Sequence, residues 1–251
     1  MPASSWCERA TRLVETLLTP GGPTALRTWR PFSLASFRLV HGLAREAPPF
    51  RLVIDVGANI GQFSRAAIGV WPGAEIVAFE PLPGAAERLR ATLRGAGHAD
   101  RLEVHACALG AQDGTTEFFP PANSLSSSIL AVADGVRQEP WARELEPVSV
   151  PLRRLDSVLG DRELARPSLL KLDVQGAELD VLAGAHTVLR QVDALVVETA
   201  FEPLYDGQAP FPAVHDALGR LGWALRRPLD MRREGDGRFV EADLLYRRPS
   251  G

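Results

Sequence analysis

One stretch constrains this chain more than any other: Leu52-Val53-Ile54-Asp55-Val56-Gly57-Ala58-Asn59-Ile60-Gly61-Gln62-Phe63. Apolar residues lead into an acid, a turn with two glycines follows, and Phe63-Ser64-Arg65-Ala66-Ala67-Ile68 then reads as a helix. A buried strand running into a tight turn and a helix N-terminus is how open α/β sheets build small-molecule sites. The glycines let backbone approach a ligand closely, and the end of the strand supplies a carboxylate.

From residue 51 onward, strand and helix patterns alternate, which predicts a parallel sheet covered on both faces. Strands are expected at 51–56, 75–80, 102–108, 168–173 and 193–198, with helices at 82–93, from near Ala177, and at 211–221. The turn signal at 112–115 predicts a hairpin strand at 115–119 returning from the sheet edge. Residues 120–147 lack periodicity and read as a binding loop or a flexible excursion, with a short extended segment at 148–152. The segments 223–227 and 239–246, separated by Glu234-Gly235-Asp236-Gly237, are expected to pair antiparallel. Residues 1–48 differ in character: helices are expected at about 6–18 and 32–45, broken by Thr19-Pro20-Gly21-Gly22-Pro23. They form either a helical cap over one side of the core or a lid or homodimer contact. Two units result, an N-terminal helical segment at 1–48 and a catalytic-type domain at 49–251.

Composition removes several function classes. A net charge of -3 disfavours a nucleic-acid binder that depends on broad basic surface. No apolar run approaches the roughly 18 residues needed for a membrane span, and the N-terminus does not read as a secretory signal. Cys7 and Cys107 are too few for a disulfide framework, and no Cys/His cluster has zinc spacing. The expectation is a cytoplasmic protein with reduced thiols.

Four expected strands end in or near a carboxylate: Asp55, Glu80, Asp173 and Glu198. In an open parallel sheet such ends face one crevice. The chain has no Gly-x-x-x-x-Gly-Lys-Ser/Thr pattern and no Gly-x-Gly-x-x-Gly after the first strand, since Gly57 and Gly61 flank Asn59 instead. Asp55 would sit close to a pyrophosphate, so a ligand with a cationic, amino-acid-like end suits the turn better. Glu80 is placed to accept hydrogen bonds from a ribose diol. Ammonium plus ribose in one ligand points to S-adenosylmethionine.

These motifs resemble the FkbM family of class I methyltransferases. The resemblance rests on Asp55 through Gly61, on Phe79-Glu80-Pro81, on Ala108-Leu109-Gly110 with Asp113-Gly114, on Ser126-Ser127-Ser128 and on Leu155-Asp156-Ser157. Most specific is Leu170-Lys171-Leu172-Asp173-Val174-Gln175-Gly176-Ala177-Glu178, with Gln175 where the family more usually has Glu. It spans roughly residues 50–246. The resemblance implies a Rossmann-like class I methyltransferase fold, with a seven-stranded, mostly parallel sheet whose last strand is antiparallel. It also implies an S-adenosylmethionine-dependent O-methyltransferase acting on a hydroxyl of a sugar or natural product.

On this reading Gly57, Ala58, Asn59, Gly61 and Phe63 line the methionine part, and Asp55 holds its ammonium. Glu80 takes the ribose hydroxyls, while Phe79, Pro81, Ala108 and Leu109 neighbour the adenosine. An alcohol is a weak nucleophile and calls for a base. Asp173 is the first candidate, since it ends the fourth strand, and Glu178 is the second. Ser127, Ser128, Lys171, Glu198, Glu202, Tyr205 and His215 are candidates for acceptor contacts, although His215 and Lys171 have structural readings as well. No metal is expected, with Asp173, Glu178 and Glu198 as the set that would hold a divalent ion if one were used. The expected partner is a small-molecule acceptor, not nucleic acid. Competing readings are an N-methyltransferase or RNA methyltransferase on the same fold, or a catalytically inactive cofactor-binding module. An Asn-Pro-Pro-Tyr-type motif is absent after the fourth strand, which weighs against methylation of base amino groups.

Overall fold

The computed structural model describes residues 11, 13–45, 48–120, 146–203, 205–234 and 236–249. Its centre is a seven-stranded sheet. Strand β1 (Leu52–Val56) pairs parallel with β2 (Glu75–Phe79), and β2 with β3 (Leu102–His105). After β3 the chain leaves the sheet to make β4 (Ala108–Leu109), β5 (Gly114–Phe118) and β6 (Val148–Arg153). It returns as β7 (Ser168–Leu172), which pairs parallel with both β1 and β8 (Ala194–Ala200). Strands β9 (Ala224–Arg233) and β10 (Phe239–Arg247) finish it, β10 lying antiparallel to both β8 and β9. The spatial order is β3-β2-β1-β7-β8-β10-β9. This is the expected Rossmann-like, mostly parallel sheet with its last strand antiparallel. The order reverses between β1 and β7, so the crevice expected of such sheets opens at their C-terminal ends.

The period-two alternation of each strand divides the core into two layers. Leu52, Ile54 and Val56 point to one face, where they meet Leu155, Val181, Leu182, Val188 and Leu218. Val53 points to the other, together with Ile76, Leu169 and Val196, and packs with Phe63, Ala67, Ile68 and Leu89. Asp55 shares the face of Val53. Burial of these side chains is worth about 1.5–3 kcal/mol each, which offsets the expense of seating polar groups at the crevice.

Four local expectations are revised. The segment 102–108 breaks into β3 and β4 at Cys107, and β5 does not join the main sheet. It pairs antiparallel with β6, and β4 lies parallel on the other side of β6, forming a small separate sheet. Residues Gly22–Thr28 form a helix, α1, although Thr19 to Pro23 reads as a break. Its Pro lies in the first helical turn, where a missing N–H costs nothing. A second helix, His186–Gln191, follows Glu178–Ala183. Its first turn is capped by Asp156, which accepts from Thr187 N and Val188 N. Among the described residues, no helix is long and apolar enough to cross a membrane.

The N-terminal segment packs into the second layer rather than standing apart. Helix α2 (Leu34–Ala44) is capped by Ser33, whose side chain accepts from Ser36 N at 3.2 Å. Its Phe37, Val40 and Leu43 join the layer beside helix α3 (Gln62–Val70). Trp29, after α1, sits on α3 at Gly69, where an added Cβ would stand 2.1 Å from the ring. Upstream, residues 13–18 are helical and leave Leu13, Val14, Leu17 and Leu18 exposed.

Gly69 tests this docking. Alanine in a helix interior gains roughly 1 kcal/mol over glycine, whereas overpacking costs about 1–3 kcal/mol. Gly69→Ala is therefore expected to lower the denaturant midpoint and red-shift Trp29 emission. Unchanged emission with raised stability would show that Trp29 does not lie against this helix.

Candidate functional site

Two turns at the C-terminal ends of β1 and β7 form the site. The first begins at Gly57, with φ +80. A Cβ there would stand 1.8 Å from the carbonyl oxygen of Asp173, so only glycine allows this turn to press against the second. Gly57 N and Ala58 N both donate to Phe79 O at 3.0 Å, which ties the turn to the end of β2. Asn59 is left-handed at φ +50, a conformation its side chain supports by accepting from Ile60 N at 2.8 Å.

Glu80 closes this turn from the side. Its Oε2 accepts from Asn59 N at 2.9 Å and its Oε1 from Leu82 N at 3.0 Å. Burial pushes its carboxyl up to about 7, against the pull of those two backbone N–H groups.

The second turn runs from Asp173 to Gly176. Asp173 N donates to Val56 O at 3.0 Å, locking the two turns together. Gln175 has φ +52. It and Asn59 are the non-glycine residues with positive φ among those described, and both face the same crevice. Backbone strain of this kind is concentrated at functional sites.

A charge cluster lies beneath the turns. Lys171 Nζ donates to Asp173 Oδ2 at 2.7 Å and lies 5.3 Å from the centre of the Phe63 ring. Asp55 is its cross-strand partner in register, and Asp243 is the partner of Glu198 across β8 and β10. Burial would lower the Lys171 pKa, but the charges of Asp173, Asp55 and Asp243 raise it instead. Burial would likewise raise Asp173, yet the Lys171 charge, with hydrogen bonds from Glu198, Lys171 and Gln175, holds it below the usual carboxylate range. Asp243 is pushed up to about 7 by burial, with the Lys171 charge opposing.

Lys171 is the only lysine among 28 lysine and arginine residues in the chain. A compact ammonium fits among several close carboxylates where a planar guanidinium does not, and this accounts for the exception.

The cleft over these turns is lined by Gly57, Ala58, Asn59, Phe63, Phe79, Glu80, Pro81, Ala108, Leu109, Lys171, Asp173 and Glu198, all singled out by sequence. Other candidates lie elsewhere. Asp55 is fully buried, and its Oδ2 accepts from Ser64 Oγ at 2.5 Å, because it shares the β1 face that packs on α3. Gly61 backs onto Leu89. Glu178 points away from the cleft and accepts from Gly176 N at 3.0 Å, so it braces the second turn instead of facing the reaction. Tyr205 is buried behind Gln175, to which its hydroxyl donates at 3.0 Å. Glu202 is an exposed partner of Arg238, and His215 Nδ1 lies 3.3 Å from the Tyr246 hydroxyl. Ser127 and Ser128 lie outside the described residues.

Sequence reading gave no place in the wall to six residues that line it. Asp243 interrupts an apolar strand, a signal that looking only at strand ends misses. Gln175 bridges Asp173 and Glu198 through Nε2. Ser33, Ser36 and Leu39 reach the cleft from α2, and Cys107 lines it as a buried thiol whose pKa burial raises to about 11.

Residues 55–225 match the Methyltransferase FkbM domain. The chain belongs to the FkbM methyltransferase family. It is a methyltransferase of the S-adenosylmethionine-dependent class. The family match begins at Asp55 and ends before β10, so it omits both α2 and Asp243.

Two relatives illustrate the kinship. The 2-O-methyltransferase NoeI of Sinorhizobium fredii is 31% identical over 222 residues, covering 86% of this chain and 86% of its own. The 31-O-demethyl-FK506 methyltransferase FkbM of Streptomyces tacrolimicus is 31% identical over 220 residues, covering 73% and 82%. The crystal structure of a methyltransferase FkbM from Methylobacillus flagellatus superposes with a TM-score of 0.53 at 18% identity. It covers 84% of this chain, which spans 47% of that longer one, and the likeness establishes the fold.

The residues present fit the methyl donor: a backbone turn from Gly57 to Asn59 that lines the cleft, the Glu80 carboxyl beside it and an apolar wall at Phe79, Pro81 and Leu109. They do not fit a metal held by Asp173, Glu178 and Glu198. Glu178 is turned away, and Gln175 presents N–H donors between the other two, which cannot ligate a cation. Among the described residues, no group of three or more His, Cys, Asp or Glu is arranged to hold one.

The buried acids set a pH dependence. Burial brings Glu80, Glu178 and Asp243 each to about 7 in the native protein, whereas they ionise near 4 in an unfolded chain. Between those values the native state binds more protons than the unfolded state, so stability falls as pH rises through the window. The ligand-free protein should show a higher urea midpoint at pH 5 than at pH 7.5, with Glu178→Gln flattening the slope. A midpoint that rises with pH across that interval would contradict the assignment.

Proposed function

We propose that the protein methylates a hydroxyl of a neutral small molecule, a sugar or a natural product of similar polarity. The observation that carries this is the charge of the acceptor side of the cleft. Asp173, Glu198 and Asp243 line it, and among the described lining residues the one cation, Lys171, is engaged by Asp173. A carboxylate or phosphate on the acceptor would meet three acids and, among the described lining residues, no cation beyond the Lys171 already paired with Asp173, and such juxtaposition discriminates between partners. NoeI and the FK506 enzyme, whose names specify O-methylation, support the hydroxyl as the nucleophile.

S-adenosylmethionine supplies an activated methyl group, so the protein's task is alignment. The backbone of Gly57, Ala58 and Asn59 holds the amino-acid end of the donor, and Glu80 accepts the ribose hydroxyls. Phe79, Pro81, Cys107 and Leu109 take the adenosine. Ser33, Ser36 and Leu39 of α2 close the opposite wall against water and contact the acceptor. Asp55 and Glu178 act at one remove, the first by anchoring α3 and the second by bracing the turn at Gly176.

Loss of a hydrogen bond to a charged group costs about 1.5–3 kcal/mol. Glu80→Ala should therefore weaken S-adenosylmethionine binding by about tenfold or more in calorimetric titration. In a labelled-methyl assay, neutral glycosides should be accepted at least about tenfold better than the matching uronic acids. Preference for the uronic acids would refute the neutral acceptor.

A further inference from the structure

Asp173 and Glu198 reach the cleft from adjacent strands, and a single amide ties them. Gln175 Nε2 donates to Asp173 Oδ1 at 3.0 Å and to Glu198 Oε2. The Tyr205 hydroxyl donates to Gln175 Oε1, so the amide's oxygen faces the phenol and its nitrogen faces the carboxylates. A glutamate at 175 would have no N–H to give either acid. Lys171 occupies the other oxygen of Asp173. With both oxygens engaged and a cation beside it, Asp173 stays ionised and is a poor acceptor for a further proton.

Glu198 has the opposite surroundings. Asp173 faces it from the turn after β7, and Asp243 and Glu241 face it from β10. Lys171 is engaged by Asp173, and Arg232 of β9 is engaged by Glu241 at 2.7 Å. Burial, then the charges of Asp173, Glu241 and Asp243, push the Glu198 carboxyl well above its ordinary range, and a hydrogen bond joins it to Asp173. Two carboxyls tied to one amide nitrogen favour carrying a single proton between them, and these surroundings favour Glu198 over Asp173 as its seat.

We propose that Glu198, which lines the cleft and shares the Gln175 amide with Asp173, is the base for methyl transfer and that the positive charge of the donor arms it by favouring its ionised form when the donor occupies the cleft. The proposal rests on the reading that this cleft binds S-adenosylmethionine. A cation close to a carboxyl favours its ionised form, and Glu198 and the glycine turn line one cleft. In turnover the acceptor oxygen bonds to the methyl carbon, the carbon–sulfur bond breaks with its electron pair going to sulfur, and the hydroxyl proton passes to the Glu198 carboxylate. The thioether product is uncharged at sulfur, so Glu198 keeps that proton and the pair returns to its resting state. The base is thus charged only while a methyl group is available to transfer.

The test compares S-adenosylmethionine with S-adenosylhomocysteine by calorimetric titration near pH 7, in buffers of different ionisation enthalpy. Both ligands place the same ribose on Glu80, so the difference between them isolates the sulfonium. The methyl donor should release about half a proton or more beyond the thioether. Glu198→Gln should bind the donor within about threefold of wild type, abolish that difference and lower turnover by about 100-fold or more. Gln175→Glu adds a carboxylate to the pair and should move the acidic limb of the kcat/KM profile up by about one pH unit. Equal proton release by the two ligands, or release unchanged in Glu198→Gln, would overturn the arming of Glu198. Wild-type turnover in Glu198→Gln would overturn its role as base. Failure of the donor to bind would overturn the reading of the cleft and the proposal with it.

Discussion

The backbone contact between Gly57 and Asp173 is what the rest of the site depends on. β1 and β7 are neighbours whose connections leave in opposite directions, and their two turns must share one small space. Glycine at 57 lets the turns touch, and the bond from Asp173 N to Val56 O at 3.0 Å holds them there. Every other site element is braced against this joint. Glu80 fastens the first turn to the end of β2, and Glu178 fastens the second at Gly176. On the proposed reading, the donor cradle and the acceptor side are parts of one bracket, with the alignment that methyl transfer needs built in before any ligand arrives.

Charge is where this architecture gives up stability. Burying ionised carboxylates is unfavourable unless cations or hydrogen bonds compensate. The cluster around Lys171 is only partly compensated, because one ammonium faces Asp55, Asp173 and Asp243. The protein meets the excess by raising carboxyl pKa values rather than by adding cations. Protons, which can be gained and lost, thereby become part of the site. Replacing Lys171 with arginine would enlarge the cation without matching this geometry, and arginine serves everywhere else in a chain rich in it.

Much of this was legible in the sequence because it is written in backbone constraint. Apolar runs in β1, β2, β7 and β8 placed the strands, and Gly57 with Asn59 marked the turn. The Asp113 and Leu155-Asp156-Ser157 motifs prove to be staples. Asp113 accepts from Arg154 N and Ser157 Oγ, while Asp156 caps the helix that begins at His186. Side-chain direction was not legible. Asp55 and Glu178 carry the right chemistry in the right motifs, but one follows the β1 face onto Ser64 and the other folds back onto its own turn. The contributions of Asp243 and of Ser33, Ser36 and Leu39 depend on chain-distant packing, β10 against β8 and α2 against α3. No local pattern encodes either. The small sheet of β4, β5 and β6 was missed for the same reason, since β5 reads identically as a hairpin strand at the edge of the main sheet.

The most direct test of the bracket is amide hydrogen exchange with and without S-adenosylmethionine. If the two turns act as one unit, the donor should slow exchange together at Gly57 to Gly61, at Glu80 to Leu82 and at Asp173 to Gly176. Protection confined to one turn, or located instead at the arginine-lined groove near Arg166, Arg190 and Arg247, at the opposite end of the central strands, would contradict the account.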